Sequence, residues 1–434
     1  MLGVLMFLVG AILNWAYNVI HLVFLVGVWP LILMYPIIIF LLTLEYPQRL
    51  FLFIHKFNFP FFADFDQPEV FGFSPGRCRN FKIKTPDNVS LGMWHILPSV
   101  LYRQITDAQE RHRKVPHGSL VTKGIQRRAL VERPVFLYFH GNAGNRAAPT
   151  RIATYRNVSE RLNCNVVAVD YRGFGDSEGS PTEADLAIDA RAAYNWIVDQ
   201  GVPHTNIVLL GHSLGTGVAA RLARDLGKDG IFPRGLVLQA PYMSIPEAAF
   251  EYRAFQVVNL FYPLSFFPKI EEYLKNCILD RFNTRSHIPH LNIPILMIHG
   301  AKDREIPVKN SQQLYATAVA AHLGPTKLSS APEISLTGEE AFRDFVDKTE
   351  EVGGGFELEG RRYVSERNKS VRVADGEVVG PPKAMFVELT HAHHNSVQAH
   401  DLTYDSIEDF LEIPDQASVT GVGASNNSLS QLAE

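Results

Sequence analysis

The sequence predicts an α/β protein: a mostly parallel, doubly wound sheet preceded by an N-terminal transmembrane segment. Three observations predict it. Residues 1–44 contain no Asp, Glu, Lys or Arg, and the first charge is Glu45. Five short apolar runs then alternate with helical patterns between residues 134 and 300. One of those runs leads through "GHSLG" (211–215) straight into a helical stretch.

The first 44 residues exceed the roughly 20 that cross a bilayer as a helix, so they suffice for one tilted span or two short ones. Pro30 and Pro36 favour a break or kink in the second half. A secretory signal would start with basic residues and carry an apolar core of about 7–15 residues. This stretch has no early Lys or Arg and runs longer, so it reads as an anchor. Residues 45–78 read as an interfacial linker, because "RLFLFIHKFNFPFF" (49–62) is aromatic and weakly basic.

The predicted α/β domain spans 79–413. It opens with two strands in "RNFKIKTPDNVSLGMWHILP" (79–98), joined by the turn Pro86-Asp87-Asn88. Residues 100–133 hold eight Lys/Arg against three acids and read as a polar, solvated connection, with contact to anionic headgroups as the alternative. The runs "PVFLYFH" (134–140), "NVVAVDY" (165–171), "NIVLLGH" (206–212), "GLVLQAP" (235–241) and "IPILMIHG" (293–300) follow. Nearly continuous apolar character is what a central parallel strand shows, because helices cover both of its faces. Helical patterns at 149–162, 182–199 and 214–227 fall between them, and the alternation argues for a doubly wound sheet. "AMFVELT" (384–390) reads as the last strand and "TYDSIEDFLEI" (403–413) as the last helix.

Two segments interrupt the rhythm. Residues 242–290 are rich in aromatics and read as a lid, with ordinary core as the alternative. Residues 323–383, with Gly, Ser, Pro and charge in weak periodicity, read as a flexible insertion. Residues 414–434 are Ser/Asn/Gly-rich and read as a disordered tail. A net charge of -4 offers no case for nucleic acid as a partner. Cys78, Cys164 and Cys277 form no CxxC pair, which argues against a zinc or redox framework.

Ser213 is the centre of a G-x-S-x-G sequence between strand and helix. There the turn projects its side chain beyond the sheet edge, and Gly211 and Gly215 remove Cβ atoms that would collide with neighbouring backbone. A hydroxyl becomes a nucleophile when a base takes its proton and an acid orients the base. In this sheet order the acid and then the histidine follow at later strand ends. "ILMIHGAKDREIP" (295–307) offers Asp303, with Glu305 as competitor. "FVELTHAHHNS" (386–396) offers His394, then His393 and His391. The oxyanion would be held by the N–H of Leu214, just after the serine, and of Asn142 in "YFHGNAGN" (138–145). "DYRGFGDSEGSPTE" (170–183) lacks the GxGxxG spacing for nucleotides, so Asp170 and Arg172 read as bonding within that turn. This chemistry calls for neither a metal nor an organic cofactor. A serine that merely bonds within its turn remains the bland alternative.

"FHGNAGN", "VVAVDYRGFGDSEGSPTE" and "LLGHSLGTGVA" together resemble the α/β-hydrolase superfamily over residues 130–413, and within it the membrane-anchored ABHD group. The resemblance is to its lysophosphatidylserine and monoacylglycerol lipases, with Bem46-like hydrolases near by. It implies the α/β-hydrolase fold and a membrane-bound enzyme of the endoplasmic reticulum whose catalytic domain faces the lumen or the exterior. The implied activity is hydrolysis of lipid acyl esters, with Ser213 as nucleophile, Asp303 as acid, His394 as base, and Leu214 and Asn142 as oxyanion donors. The group carries only a short segment where this chain has 323–383. An acyl-protein thioesterase, a general carboxylesterase and a non-catalytic membrane scaffold are the rival readings. N-x-S sequons at Asn88, Asn157, Asn368 and Asn426 suit a lumenal domain, whereas Arg49 and Lys56 just after a single span argue the other way.

Overall fold

In the computed structural model, residues 2–112, 122–253, 259–323, 355–357, 360–366, 371–372, 378–379 and 383–413 are described. The first strands form an antiparallel pair, Cys78–Lys84 (β1) with Ser90–Ile96 (β2). Val135–Phe139 (β3), Asn165–Val169 (β4), Ile207–His212 (β5), Gly235–Gln239 (β6) and Ile295–Gly300 (β7) follow. Further strands are Gly355–Glu357 (β8), Gly360–Glu366 (β9), Val371–Arg372 (β10), Val378–Val379 (β11) and Lys383–Leu389 (β12). The main sheet runs β1-β2-β4-β3-β5-β6-β7-β12-β9-β8, and β10 pairs with β11 separately. Strands β4, β3, β5, β6, β7 and β12 are mutually parallel.

Every residue of β3 to β7 is buried, and the alternation of their side chains feeds two separate cores. Leu137, Leu209, Leu236 and Met297 face one core, while Phe136, Leu210, Val237 and Ile298 face the other. The helices Pro149–Glu160, Glu183–Asp199 and Leu214–Lys228 match the periodic stretches in the sequence.

Three regions differ from the sequence reading. The polar connection at 100–133 contains two helices, Ser99–His112 and Lys123–Glu132. The second is capped by Thr122, whose side chain accepts from the Ile125 N–H, and it buries Ala129 and Leu130. Its many cations occupy the solvent side of an amphipathic pattern, so charge count concealed the period. In the 323–383 stretch, β9 pairs antiparallel with β12 and β8 with β9, covering an edge that would otherwise present unpaired backbone groups. Lastly, of the one tilted span or two short ones expected, the described residues form a single apolar helix, with its interruption just before Pro30. Leu2–Val23 and Trp29–Leu41 are joined by a π-helical turn at Phe24–Val28, where the Trp29 N–H reaches the Phe24 carbonyl. That wider turn absorbs the register change Pro30 imposes on the carbonyl four residues before it.

One helix among the described residues is long and apolar enough to cross a bilayer, Met6–Leu41. At 1.5 Å per residue its 36 residues extend about 54 Å, more than the hydrocarbon core of about 30 Å. The next helix, Glu45–Phe53, docks onto the aromatic segment: the Gln48 side chain bonds to the Cys277 carbonyl and the Leu279 N–H, and Arg49 pairs with Asp280 at 2.9 Å. Tyr35 donates to the Leu260 carbonyl, and Ile39 packs with Leu264 and Leu274. Part of 242–290 therefore sits on the end of the apolar helix. The tail 414–434 and the sequons at Asn368 and Asn426 lie outside the described residues.

Candidate active site

Ser213 occupies the turn between β5 and the helix Leu214–Lys228, at φ 51° and ψ −121°. A left-handed conformation at a serine is strained. It persists because the Ser213 N–H donates to the Gln239 carbonyl at 3.0 Å, while the Ser213 carbonyl accepts from the N–H and hydroxyl of Thr216. The flanking glycines have direct steric reasons: a Cβ on Gly211 would run into the Gly215 carbonyl, and one on Gly215 into that of Phe139. Gly141 passes so close that a Cβ there would lie 3.3 Å from that of Ser213.

The candidate acid and base arrive from neighbouring strand ends. Asp303 follows β7, and its Oδ1 accepts from the N–H groups of Glu305 and Ile306, both at 2.9 Å. His394 follows β12. The two loops are joined by backbone bonds, Ala301 N–H to Leu389 and Lys302 N–H to Ala392. As a result His394 Nδ1 lies 2.7 Å from Asp303 Oδ2, and His394 Nε2 lies 2.9 Å from Ser213 Oγ. A carboxylate only accepts, so Nδ1 carries the proton and Nε2 is free to accept from the serine hydroxyl. His391 and His393 are exposed and turn instead to Lys302, so neither bonds to Ser213.

Burial lowers the pKa of His394, but the hydrogen bond and charge of Asp303, helped by Glu305, outweigh it and hold it above the ordinary value. Burial works to raise Asp303, yet the bonds from His299 and His394 keep its carboxyl well below the usual range. Glu305 itself is raised by burial, and its Oε2 stands 4.0 Å from His394 Nε2.

The N–H groups of Leu214 and Asn142 donate to no protein acceptor among the described residues. Leu214 begins a helix whose dipole favours negative charge at that end. The Asn142 loop is held by Arg151, a buried side chain whose Nη2 lies 3.1, 3.3 and 2.6 Å from the carbonyl oxygens of Gly141, Asn142 and Ala143.

Sequence reasoning missed three participants. Arg151 stands in the first turn of the helix Pro149–Glu160, where the dipole disfavours a cation, and that misfit was the available signal. His299 donates to Asp303 Oδ2 and the Ile306 carbonyl, while its Nδ1 meets the Ser311 hydroxyl. His212 Nε2 donates to the His394 carbonyl at 3.1 Å, and burial, then the nearby His394 charge, push its pKa down to about 3. Asp170 and Arg172 bond across segments rather than within their turn, Asp170 to Arg146 and Arg172 to Asp189 and Asp87.

A profile of the α/β hydrolase fold family matches residues 134–270. The lysophosphatidylserine lipase ABHD12 of Xenopus tropicalis is 31% identical over 304 residues, 68% of this chain and 74% of that protein. The chain belongs to the ABHD group of α/β hydrolases. The ABHD12 protein of Danio rerio is 32% identical over 271 residues, which cover 62% of this chain and 66% of the relative. Protein ABHD12B of Homo sapiens, another ABHD protein, is 31% identical over 268 residues, covering 62% of this chain and 68% of its own. The chain thus spans about two thirds of the length of the relatives it matches. Among solved structures, an α/β hydrolase from Vibrio vulnificus shares 19% identity over 64% of this chain and 84% of its own, at a TM-score of 0.45.

Proposed function

We propose that this protein is a membrane-bound serine hydrolase that cleaves acyl esters of lipids, a monoacylglycerol or lysophospholipid lipase working through an acyl-enzyme. The observation that carries the reading is the hydrogen-bonded series from Asp303 Oδ2 through His394 to Ser213 Oγ, at 2.7 and 2.9 Å. Ser213 Oγ bonds to the ester carbonyl carbon as His394 Nε2 takes its proton. The carbonyl oxygen becomes an oxyanion facing the Leu214 and Asn142 N–H groups, each worth about 2.7–4 kcal/mol in such chemistry. His394 then returns the proton to the departing alkoxide. Water repeats the sequence on the acyl-enzyme and releases the fatty acid. Asp303 stays ionised throughout and steadies the imidazolium.

A lipid substrate is supported by the apolar N-terminal helix and by the names of the ABHD12 relatives, which are lysophosphatidylserine lipases. That helix would anchor the enzyme, in the endoplasmic reticulum with its catalytic domain lumenal. Asn88 sits exposed at a turn and suits glycosylation there. Asn157 does not, since its amide donates to the Gln398 carbonyl and Ser159 is buried.

The test is a fluorophosphonate probe on the full chain, followed by lysophospholipids, monoacylglycerols and a palmitoylated peptide compared between wild type and Ser213→Ala. Labelling at Ser213 with release of fatty acid from the lipids supports the proposal. Turnover of the palmitoylated peptide alone would replace it with a thioesterase, and an unlabelled Ser213 would leave a scaffold. A protein band unmoved by glycosidase would remove the lumenal placement.

A further inference from the structure

The loop that carries Asn142 is tied to the chain just after the apolar helix. Three consecutive N–H groups, Ala143, Gly144 and Asn145, donate to the carbonyls of Phe53, Phe57 and Phe59 at 2.9, 2.9 and 3.1 Å. Side chains add to these bonds: the Asn142 amide reaches the Leu52 carbonyl at 3.4 Å, and the Asn145 amide reaches Asn58 Oδ1 at 2.7 Å. Asn58 in turn donates to the Gly175 carbonyl at 3.3 Å. The fit is close, because a Cβ on Gly144 would lie 2.9 Å from the Phe59 carbonyl oxygen. Ala143 is left-handed at φ 55°, a conformation that is strained for a non-glycine residue and is held here by these bonds.

The outer side of the same strip is apolar and bare. Phe57, Phe59 and Phe61 are about half exposed, and Phe62 is fully exposed in a left-handed conformation. The rings of Phe57, Phe59 and Phe61 pack on one another, 5.2 to 6.4 Å between centroids. Tyr46, Leu50, Phe51 and Ile54 on the preceding segment are exposed too. This surface is continuous in sequence with the 36-residue apolar helix that ends at Leu41. Chain continuity keeps it beside whatever surrounds that helix, and aromatic side chains favour the headgroup level of a bilayer.

We propose that the aromatic strip 57–62 is a lipid-surface contact that holds the oxyanion loop in its working geometry, so that catalysis depends on the strip meeting the bilayer. Lipid fixes the strip from outside, and its carbonyls and Asn58 fix Asn142–Asn145 from inside. Asn58 is thereby a positioning residue, acting on the Asn142 N–H through Asn145. The inference rests on Ser213 being the nucleophile.

The test uses full-length protein in phosphatidylcholine vesicles and a water-soluble short-chain ester, so that access to membrane-dissolved substrate plays no part. Asn58→Ala lowers kcat at least tenfold, with KM, thermal midpoint and the midpoint of the pH profile unchanged. Asn58→Asp, which still accepts from the Asn145 amide, restores most of the rate. Phe61→Ser/Phe62→Ser lowers kcat similarly, and adding it to Asn58→Ala causes little further loss because both act on one loop. Strip variants that keep wild-type kcat on the soluble ester overturn the proposal, as does a loss that appears in KM or follows the thermal midpoint. Fluorophosphonate labelling of Ser213 in the wild type is the separate control: its failure overturns the hydrolase reading, whereas its success beside inert strip variants overturns only this inference.

Discussion

Replacing Asp303 with Asn should abolish most activity while leaving the fold in place. The carboxylate accepts four hydrogen bonds: Oδ1 takes the Glu305 and Ile306 N–H groups, and Oδ2 takes His394 Nδ1 and His299 Nε2. An amide can keep the first pair only by placing its carbonyl at Oδ1, which puts its NH₂ group where Oδ2 stood. His299 survives the change, because its Nε2–H retains the Ile306 carbonyl at 2.9 Å. His394 does not. Facing a donor, its Nδ1 must accept, so the proton moves to Nε2 and nothing remains to take the Ser213 hydroxyl proton. Locking a triad histidine in that tautomer costs on the order of 10⁴ in kcat, about 5 kcal/mol. The assay is kcat on a soluble ester, together with the rate of fluorophosphonate labelling and a denaturation curve as a check on folding. A folded Asp303→Asn variant within tenfold of wild type would refute the assigned relay.

Glu305→Gln should move the acid limb of the kcat/KM profile to lower pH. His394 must be neutral to act as base, its pKa is held above the ordinary value chiefly by Asp303, and the Glu305 charge is a further cause; a limb that stays put would remove Glu305 from that role. Gly215→Ala should suppress labelling of Ser213 and destabilise the domain by about 1–3 kcal/mol, since the new methyl meets the Phe139 carbonyl. Labelling at the wild-type rate would count against the steric argument. Arg146→Met strands the buried Asp170 carboxylate, whose Oδ2 lies 2.6 Å from the guanidinium, and should cost about 3–5 kcal/mol in urea denaturation. A midpoint near wild type would mean that the pair adds little.

The central strands were legible because burial on both faces leaves a continuous apolar run, and β3 to β7 carry such runs. The turn around Ser213 was legible for a similar reason: Gly211 and Gly215 are demanded by backbone approach, and local steric demands show in sequence. Among the three histidines near residue 394 the sequence offered only the His394-Asn395 pair leading towards the final helix, whereas the backbone bonds joining the β7 and β12 loops decide which imidazole meets Asp303. His212 acts through a contact with a segment 182 residues away, which no local pattern can show, while Arg151 and His299 bond to loops close by in the chain whose carbonyls and carboxylate carry no motif for them. The brace between residues 52–60 and 142–145 left no pattern either, since most of its donors and acceptors are backbone groups that every residue possesses.

The backbone staple between the β7 and β12 loops also bears on how such a chain can lengthen. Asp303 and His394 are registered to each other by bonds between their own two loops, so residues added between Leu323 and Lys383 need not move either one. The site is therefore insulated from growth at that point, and a new sheet border such as β9 can be acquired there without retuning the proton transfer below it.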